Sequence, residues 1–227
     1  MKKDLLTVRD LSKEEILAFI DRGLELKSEG RNTARPLTGY TLGMIFDKAS
    51  TRTRVSFEAA MFRLGGQTLF LSRTDTQLSR DETVADTARV LSRYLDILAI
   101  RTYSQELIEE MAKYADIPII NALTDLYHPC QVLSDLMTVK EKRGSLDDLK
   151  AAWIGDGNNV AHSWINAARA VGFELILACP EGYHPMPEVL EGAGDNIHVV
   201  GDPKEAVRDA HVINTDVWAS MGQEGEK

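Results

Sequence analysis

Ser50-Thr-Arg-Thr-Arg54 lies between the apolar run Leu42–Phe46 and a segment where Phe57, Ala60, Met61 and Leu64 recur at helical spacing. Buried-type strand, short polar turn and amphipathic helix, in that order, form the repeating unit of a parallel α/β sheet. Ser50 is a good N-cap residue, so the residues after it fall in the first helical turn, where backbone N–H groups lack partners and the helix dipole is positive. Two arginines at that end are locally unfavourable. An arriving phosphate reverses the sign, with hydroxyls from Ser50, Thr51 and Thr53 as further donors and Arg52 as a bidentate clamp. The alternative for the same residues is a surface turn whose arginines pair with Asp47 and Glu58.

The alternation extends in both directions. A helix opens at Ser12, which forms an S-x-x-E capping box with Glu15, and runs to about Leu26. Strands are expected over 41–46, 68–71, 97–100 and 117–120, with helices over 52–64, 82–94 and 105–114. A longer helix runs from about Pro129 to Lys142, with proline in its first turn. After a polar stretch the rhythm restarts, with strands over 152–154, 174–178, 197–200 and 211–214 and helices over 160–171 and 203–209. A short helix follows the loop that begins at Gly182. The pattern is that of an α/β protein with two doubly wound, parallel-sheet domains, over 1–140 and 145–227. The domain over 145–227 reads as incomplete at its C-terminus, because the stretch from Met221 to Lys227 is polar and loop-like.

Composition narrows the function. With 44% apolar and 27% charged residues, the 227-residue chain can bury a sizeable core, which excludes disorder and repeat fibres. No apolar run approaches the roughly 18 residues of a membrane helix. The N-terminus turns acidic and polar too soon for a secretory signal. Two cysteines, Cys130 and Cys179, are too few for a disulfide framework and suit a reducing cytoplasm. A net charge of −9 without an obvious basic face disfavours nucleic acid and anionic membrane as partners, leaving a small molecule.

Three further segments point to an anion or carboxylate site. Arg101 follows the apolar strand 97–100 at its carboxyl end, where ligands of open α/β sheets collect, although an arginine at a strand end also snorkels to solvent. In His128-Pro-Cys-Gln131, His128 and Gln131 are candidate donors at a helix start, and His128 also fits a capping or packing role. Cys130 reads as a small buried hydrophobe, since no acid–His relay surrounds it. Gly155-Asp-Gly-Asn-Asn159 is superficially similar to a dinucleotide fingerprint. Val160 stands at the third glycine position, though, and the stretch 177–180 lacks the acidic residue expected there, which disfavours a nicotinamide cofactor. The asparagines instead fit a carboxylate at a helix N-terminus, or simple turn chemistry, while His162 and Trp164 read as packing residues.

Together, Ser-Thr-Arg-Thr-Arg (50–54), Arg101, His-Pro-Cys-Gln (128–131), Gly-Asp-Gly-Asn-Asn (155–159) and Asp-Val-Trp-Ala-Ser-Met-Gly (216–222) resemble the ornithine branch of the aspartate/ornithine carbamoyltransferase family, in family order along the whole chain. Cys130, where the aspartate enzymes typically carry threonine, and Ser-Met-Gly at 220–222 favour that branch. The resemblance makes 1–140 a carbamoyl phosphate-binding domain and 145–227 an ornithine-binding domain. It implies that Ser50, Thr51, Arg52 and Thr53 hold the phosphate of carbamoyl phosphate, and that Arg101, His128 and Gln131 hold its carbamoyl end. Arg101, His128 and Thr53 are the implied catalytic residues. Gln77 would reach the substrate of a neighbouring subunit in a homotrimer with shared active sites, although Ser79-Arg80-Asp81 replaces the family's Gly-Arg-Gly. Asn159 and the Ser220–Met221 backbone would bind the α-carboxylate of ornithine, and Asp216 its α-ammonium.

The implied reaction transfers the carbamoyl group to the δ-amine of L-ornithine, giving L-citrulline and phosphate, with no metal and no organic cofactor. Family members continue to a His-Cys-Leu-Pro segment and a final helix, so the sequence reads as cut inside the ornithine-binding loop. The competing expectations are a carbamoyltransferase for putrescine or aspartate, a non-catalytic carbamoyl phosphate-binding module, and a nicotinamide dehydrogenase.

Overall fold

The computed structural model describes residues 3–30, 34–72 and 82–216. Helix α1 (Lys13–Glu29) starts at the expected capping box: Ser12 N donates to Glu15 Oε2 at 2.8 Å, and Glu15 N donates to Ser12 Oγ at 3.2 Å. Such a reciprocal pair satisfies two otherwise unpaired amides and contributes about 1 kcal/mol. The chain divides into two compact units, residues 1–10 with 22–130 and residues 11–21 with 131–227.

The first unit holds a four-stranded sheet of β1 (Thr41–Phe46), β2 (Gln67–Ser72), β3 (Ile97–Arg101) and β4 (Ile119–Leu123), all parallel, in the order β2-β1-β3-β4. Helices α2 (Thr51–Leu64), α3 (Val84–Leu91) and α4 (Gln105–Tyr114) connect the strands. The central strands are buried on both faces, which is why β1 and β3 read as continuous apolar runs. Leu98, Ile100, Ile108, Met111 and Ile119 form one side of the core, and Leu42, Met44, Met61 and Ala122 the other.

Helix α5 (Pro129–Arg143) leads into the second sheet: β5 (Lys150–Ile154), β6 (Glu174–Ala178), β7 (Ile197–Val200) and β8 (Val212–Thr215), parallel in the order β7-β6-β5-β8. Helices α6 (Asn159–Val171), α7 (Pro187–Leu190) and α8 (Pro203–Ala206) complete it. Nine of the thirteen residues of α6 are buried, with Trp164 edge-on to Phe173 at 5.8 Å. Among the described residues, no helix is long and apolar enough to cross a membrane.

Two parallel-sheet α/β arrangements are thus present, as the apolar rhythm implies. The differences lie at element ends. β4 begins at Ile119 rather than 117, after Pro118, which has no amide to donate. There the N-terminal segment extends the sheet: Leu5 bridges Ile120 in parallel, and Ile119 N donates to Asp4 Oδ1 at 2.8 Å. Helix α3 is shorter than 82–94, because Thr83 caps it, its Oγ1 accepting from Asp86 N at 3.1 Å, and Ser92 Oγ donates to Ala88 O at its end. Helix α8 stops at Ala206, and Asp209 beyond it takes a φ of +58°.

The turn after β5 is closely packed. A Cβ added at Gly157 would lie 2.2 Å from Pro185 N, a backbone atom with no rotamer to yield, whereas one at Gly172, φ +92°, meets nothing within 4 Å. Gly157→Ala is therefore expected to destabilise the protein by about 1–3 kcal/mol through overpacking. Gly172→Ala should cost about 1 kcal/mol through its left-handed backbone alone. Urea unfolding of both variants checks this, and a Gly157→Ala midpoint equal to that of the unmodified protein would contradict the packing argument.

Candidate active site

The strand order of the first sheet reverses between β1 and β3, whose register pairs Phe46 with Arg101 at their carboxyl ends. Connections leaving two such strands run apart and open a crevice there. Ser50 caps α2 beside it: Thr53 N donates to Ser50 Oγ at 3.3 Å, and Ser50 Oγ donates to Thr53 Oγ1 at 2.9 Å. Thr51 and Arg52 are exposed in the first turn. Arg54 behaves as a surface residue, bonding Glu58 at 2.9 Å and lying over the Phe70 ring at 3.8 Å. Asp47 accepts from Thr102 Oγ1 at 2.6 Å.

Arg101 is only 3% exposed. Its Nε has no hydrogen-bond partner among the described residues. Burial, and then the charge of Arg52, hold its guanidinium below the usual arginine pKa. A buried cation facing a second cation and a helix N-terminus is costly unless an anion completes it. A register shift at the end of β3, with Ile100 beside Asn121 and Arg101 beside Leu123, re-aims this residue relative to its strand. Alongside lies a cleft of about 450 Å³, lined by Phe46, Asp47, Ala49, Ser50, Thr51, Arg54, Val55 and Phe70.

His128 comes off the carboxyl end of β4, just ahead of α5. The preceding turn is braced by Thr124, whose Oγ1 accepts from Tyr127 N at 3.0 Å and donates to Gln105 Oε1 at 2.9 Å. Lys48, beside the α2 cap, pairs with Asp125 of the same turn and sits 4.2 Å from the Tyr103 ring centroid. Cys130 packs inward, its thiol donating to Asn121 O at 3.4 Å, and burial pushes it up to about 12. A thiol so protonated is no nucleophile at neutral pH.

The second sheet reverses between β5 and β8, which pair Ile154 with Thr215. Asn158 caps α6, its Oδ1 accepting from Val160 N at 2.9 Å and Ala161 N at 3.3 Å, and its Nδ2 donates to Asp216 Oδ2 at 2.8 Å. Asn159 occupies the first helical position. Gln131, in the first turn of α5, donates from Nε2 to Asp135 Oδ1 at 2.8 Å. Burial raises the Asp135 carboxyl, while Gln131, Trp164 and Asn214 favour its charged form. The Trp164 indole N–H only approaches that carboxyl and has no bond of good geometry. His162 is a packing residue, its Nε2 accepting from Met186 N at 3.1 Å.

In the first unit the structure brings Ser50, Thr51, Arg52, Thr53 and Arg101 to one sheet edge, and in the second it brings Asn159 and Asp216 to another. Gln77, Ser220 and Met221 lie outside the described residues. Sequence reasoning missed Asn158 as cap and Asp216 partner, and it missed Asp135. The doubled asparagine before a helix signalled the first, and the spacing of four from Gln131 the second. Among the described residues, no group of three or more His, Cys, Asp or Glu is placed to hold a metal.

Two family models match the chain: "Aspartate/ornithine carbamoyltransferase, carbamoyl-P binding domain" over residues 3–141, and "Aspartate/ornithine carbamoyltransferase, Asp/Orn binding domain" over 147–227. The chain is 56% identical to an ornithine carbamoyltransferase of Desulfotalea psychrophila, covering 100% of this chain and 77% of that protein. It is 54% identical to that of Bacillus subtilis, covering 99% and 72%. Among solved structures, the ornithine carbamoyltransferase from Pyrococcus furiosus is similar with a TM-score of 0.93 at 48% identity, covering 99% of this chain and 74% of that one. The anabolic enzyme from Campylobacter jejuni gives 0.90 at 46% identity, covering 100% and 76%.

The geometry makes two predictions. Inorganic phosphate at about 100 times its dissociation constant should stabilise the protein by about 2.7 kcal/mol. Arg101→Gln should abolish the rise in melting temperature, and an undiminished rise would place the anion elsewhere. With the Cys130 thiol at about 12 and that of Cys179 at about 11, alkylation by iodoacetamide at pH 8 should be slow in the native protein. Unfolding should accelerate it more than about a hundredfold, and fast native labelling would contradict the burial assigned to these thiols.

Proposed function

Because the chain belongs to the aspartate/ornithine carbamoyltransferase family, we propose that it transfers the carbamoyl group of carbamoyl phosphate to the δ-amine of L-ornithine, giving L-citrulline and phosphate. The observation that carries this reading is buried Arg101 facing the charge of Arg52 at the N-terminus of α2, a site whose electrostatics ask for a dianion.

In the reaction, the Ser50–Thr53 turn holds the phosphate. Arg101, His128 and Gln131 hold the carbamoyl end, and Asn159, Asp216 and the Ser220–Met221 backbone hold ornithine by its α-carboxylate and α-ammonium. A neutral δ-amine attacks the carbonyl carbon, and a tetrahedral oxyanion forms. Arg101, His128 and the Thr53 hydroxyl stabilise that charge, which in comparable sites contributes about 3–4 kcal/mol per donor. The C–O bond to phosphate then breaks, the attacking nitrogen gives up its extra proton to the departing phosphate, and that anion stays on Arg52 and the helix N-terminus. Positioning and electrostatics carry the chemistry.

Residues 1–140 serve as the carbamoyl phosphate domain and 145–227 as the ornithine domain. A homotrimer in which Gln77 reaches a neighbour's substrate is part of the same proposal. It draws support from an apolar surface on α2 and the edge strand β2, where Phe62 is 76% exposed, Val55 55% and Leu69 48%. A content of only two cysteines supports a reducing, cytoplasmic setting.

Citrulline formation from carbamoyl phosphate, with ornithine, putrescine and aspartate offered in parallel, tests the proposal. Product is expected with ornithine alone, and product with another acceptor would overturn the assignment. The δ-amine must lose a proton before attack, so the rate should rise from pH 6 to 9, since an alkylamine has a pKa near 10. A flat profile would refute attack by the free amine. Arg101→Gln should lower kcat by roughly 10²–10³-fold, as loss of an oxyanion donor does.

A further inference from the structure

Gln131 and Asp135 stand one helical turn apart on α5, joined by the 2.8 Å bond from Gln131 Nε2 to Asp135 Oδ1. An exposed pair at this spacing is ordinarily a weak surface feature. This one differs, because its acceptor is half-buried while the glutamine that it binds is exposed at the start of α5. That bond engages the NH₂ end of the Gln131 amide and so turns Oε1 outward as an acceptor.

We propose that Asp135 is a positioning residue that sets the orientation of the Gln131 amide, so that Oε1 selects a substrate ending in N–H donors over one ending in a methyl group. The proposal rests on the reading that Gln131 holds the carbamoyl end. The carbamoyl NH₂ presents an N–H donor to that oxygen. Acetyl phosphate has the same phosphate and carbonyl but carries a methyl there, which leaves the oxygen desolvated and unpaired. Without Asp135 the amide is free to turn its own NH₂ toward the ligand, and the distinction between the two phosphates fades.

The test is the ratio of dissociation constants for acetyl phosphate and carbamoyl phosphate, measured by calorimetry on the full chain and on D135A, D135N and Q131A. The expected result is a fall of about tenfold in the preference for carbamoyl phosphate in D135A, with acetyl phosphate binding nearly unchanged. D135N should recover part of the preference, because its Oδ1 still accepts from Gln131. A purely structural role would weaken both ligands together, and that result, or a D135N no better than D135A, overturns the proposal. If Q131A loses the preference while D135A keeps it, Asp135 has no positioning role and the reading of Gln131 stands. If Q131A keeps the preference, the reading of Gln131 itself falls, and the proposal with it.

Discussion

Parallel strands whose order turns back on itself leave a gap between the two connections at the turning point, and backbone groups at the strand ends face it. The chain uses this constraint twice. In the first sheet it falls between β1 and β3, next to Ser50 and Arg101, and in the second between β5 and β8, next to Asn158 and Asp216. Each opening is also flanked by a helix N-terminus capped by a side chain, so polar groups gather without breaking the ladder.

The two openings differ in charge, and the proposed division of chemistry follows that difference. The first concentrates positive charge on Arg52, Arg101 and the start of α2, so the folded chain carries an electrostatic cost there that a phosphate removes. The second places carboxylates at Asp135 and Asp216 near the cap of α6, which suits a ligand with both an ammonium and a carboxylate. An opening that suits a dianion and one that suits an amino acid fit the proposed transfer from carbamoyl phosphate to ornithine.

Much of this arrangement is legible in the residues, wherever the controlling interaction is local. The capping box of Ser12 and Glu15, the cap at Ser50 and the apolar run 41–46 each lie within a few positions, and each element starts where its signal stands. What escapes the sequence is long-range or turns on a single position. Asp4 and Leu5 bond to Ile119 and Ile120, more than a hundred residues away, and no periodicity marks them. Between adjacent asparagines, only the backbone dihedrals decide that Asn158 caps and Asn159 enters the helix. The setting of Asp135 depends on residues from α6 and β8. Of the two arginines, Arg54 is claimed by Glu58 and Phe70, a division of labour that identical residue types conceal.

The central claim is that the turn after β1 takes the phosphate and the turn after β5 takes the amino acid. Hydrogen–deuterium exchange with carbamoyl phosphate alone addresses it most directly, because the amides at the start of α2 are the proposed donors. Slowed exchange over residues 51–54, with residues 158–161 unchanged until ornithine is added, is the predicted result. Protection of 158–161 by carbamoyl phosphate, with 51–54 unaffected, would contradict it.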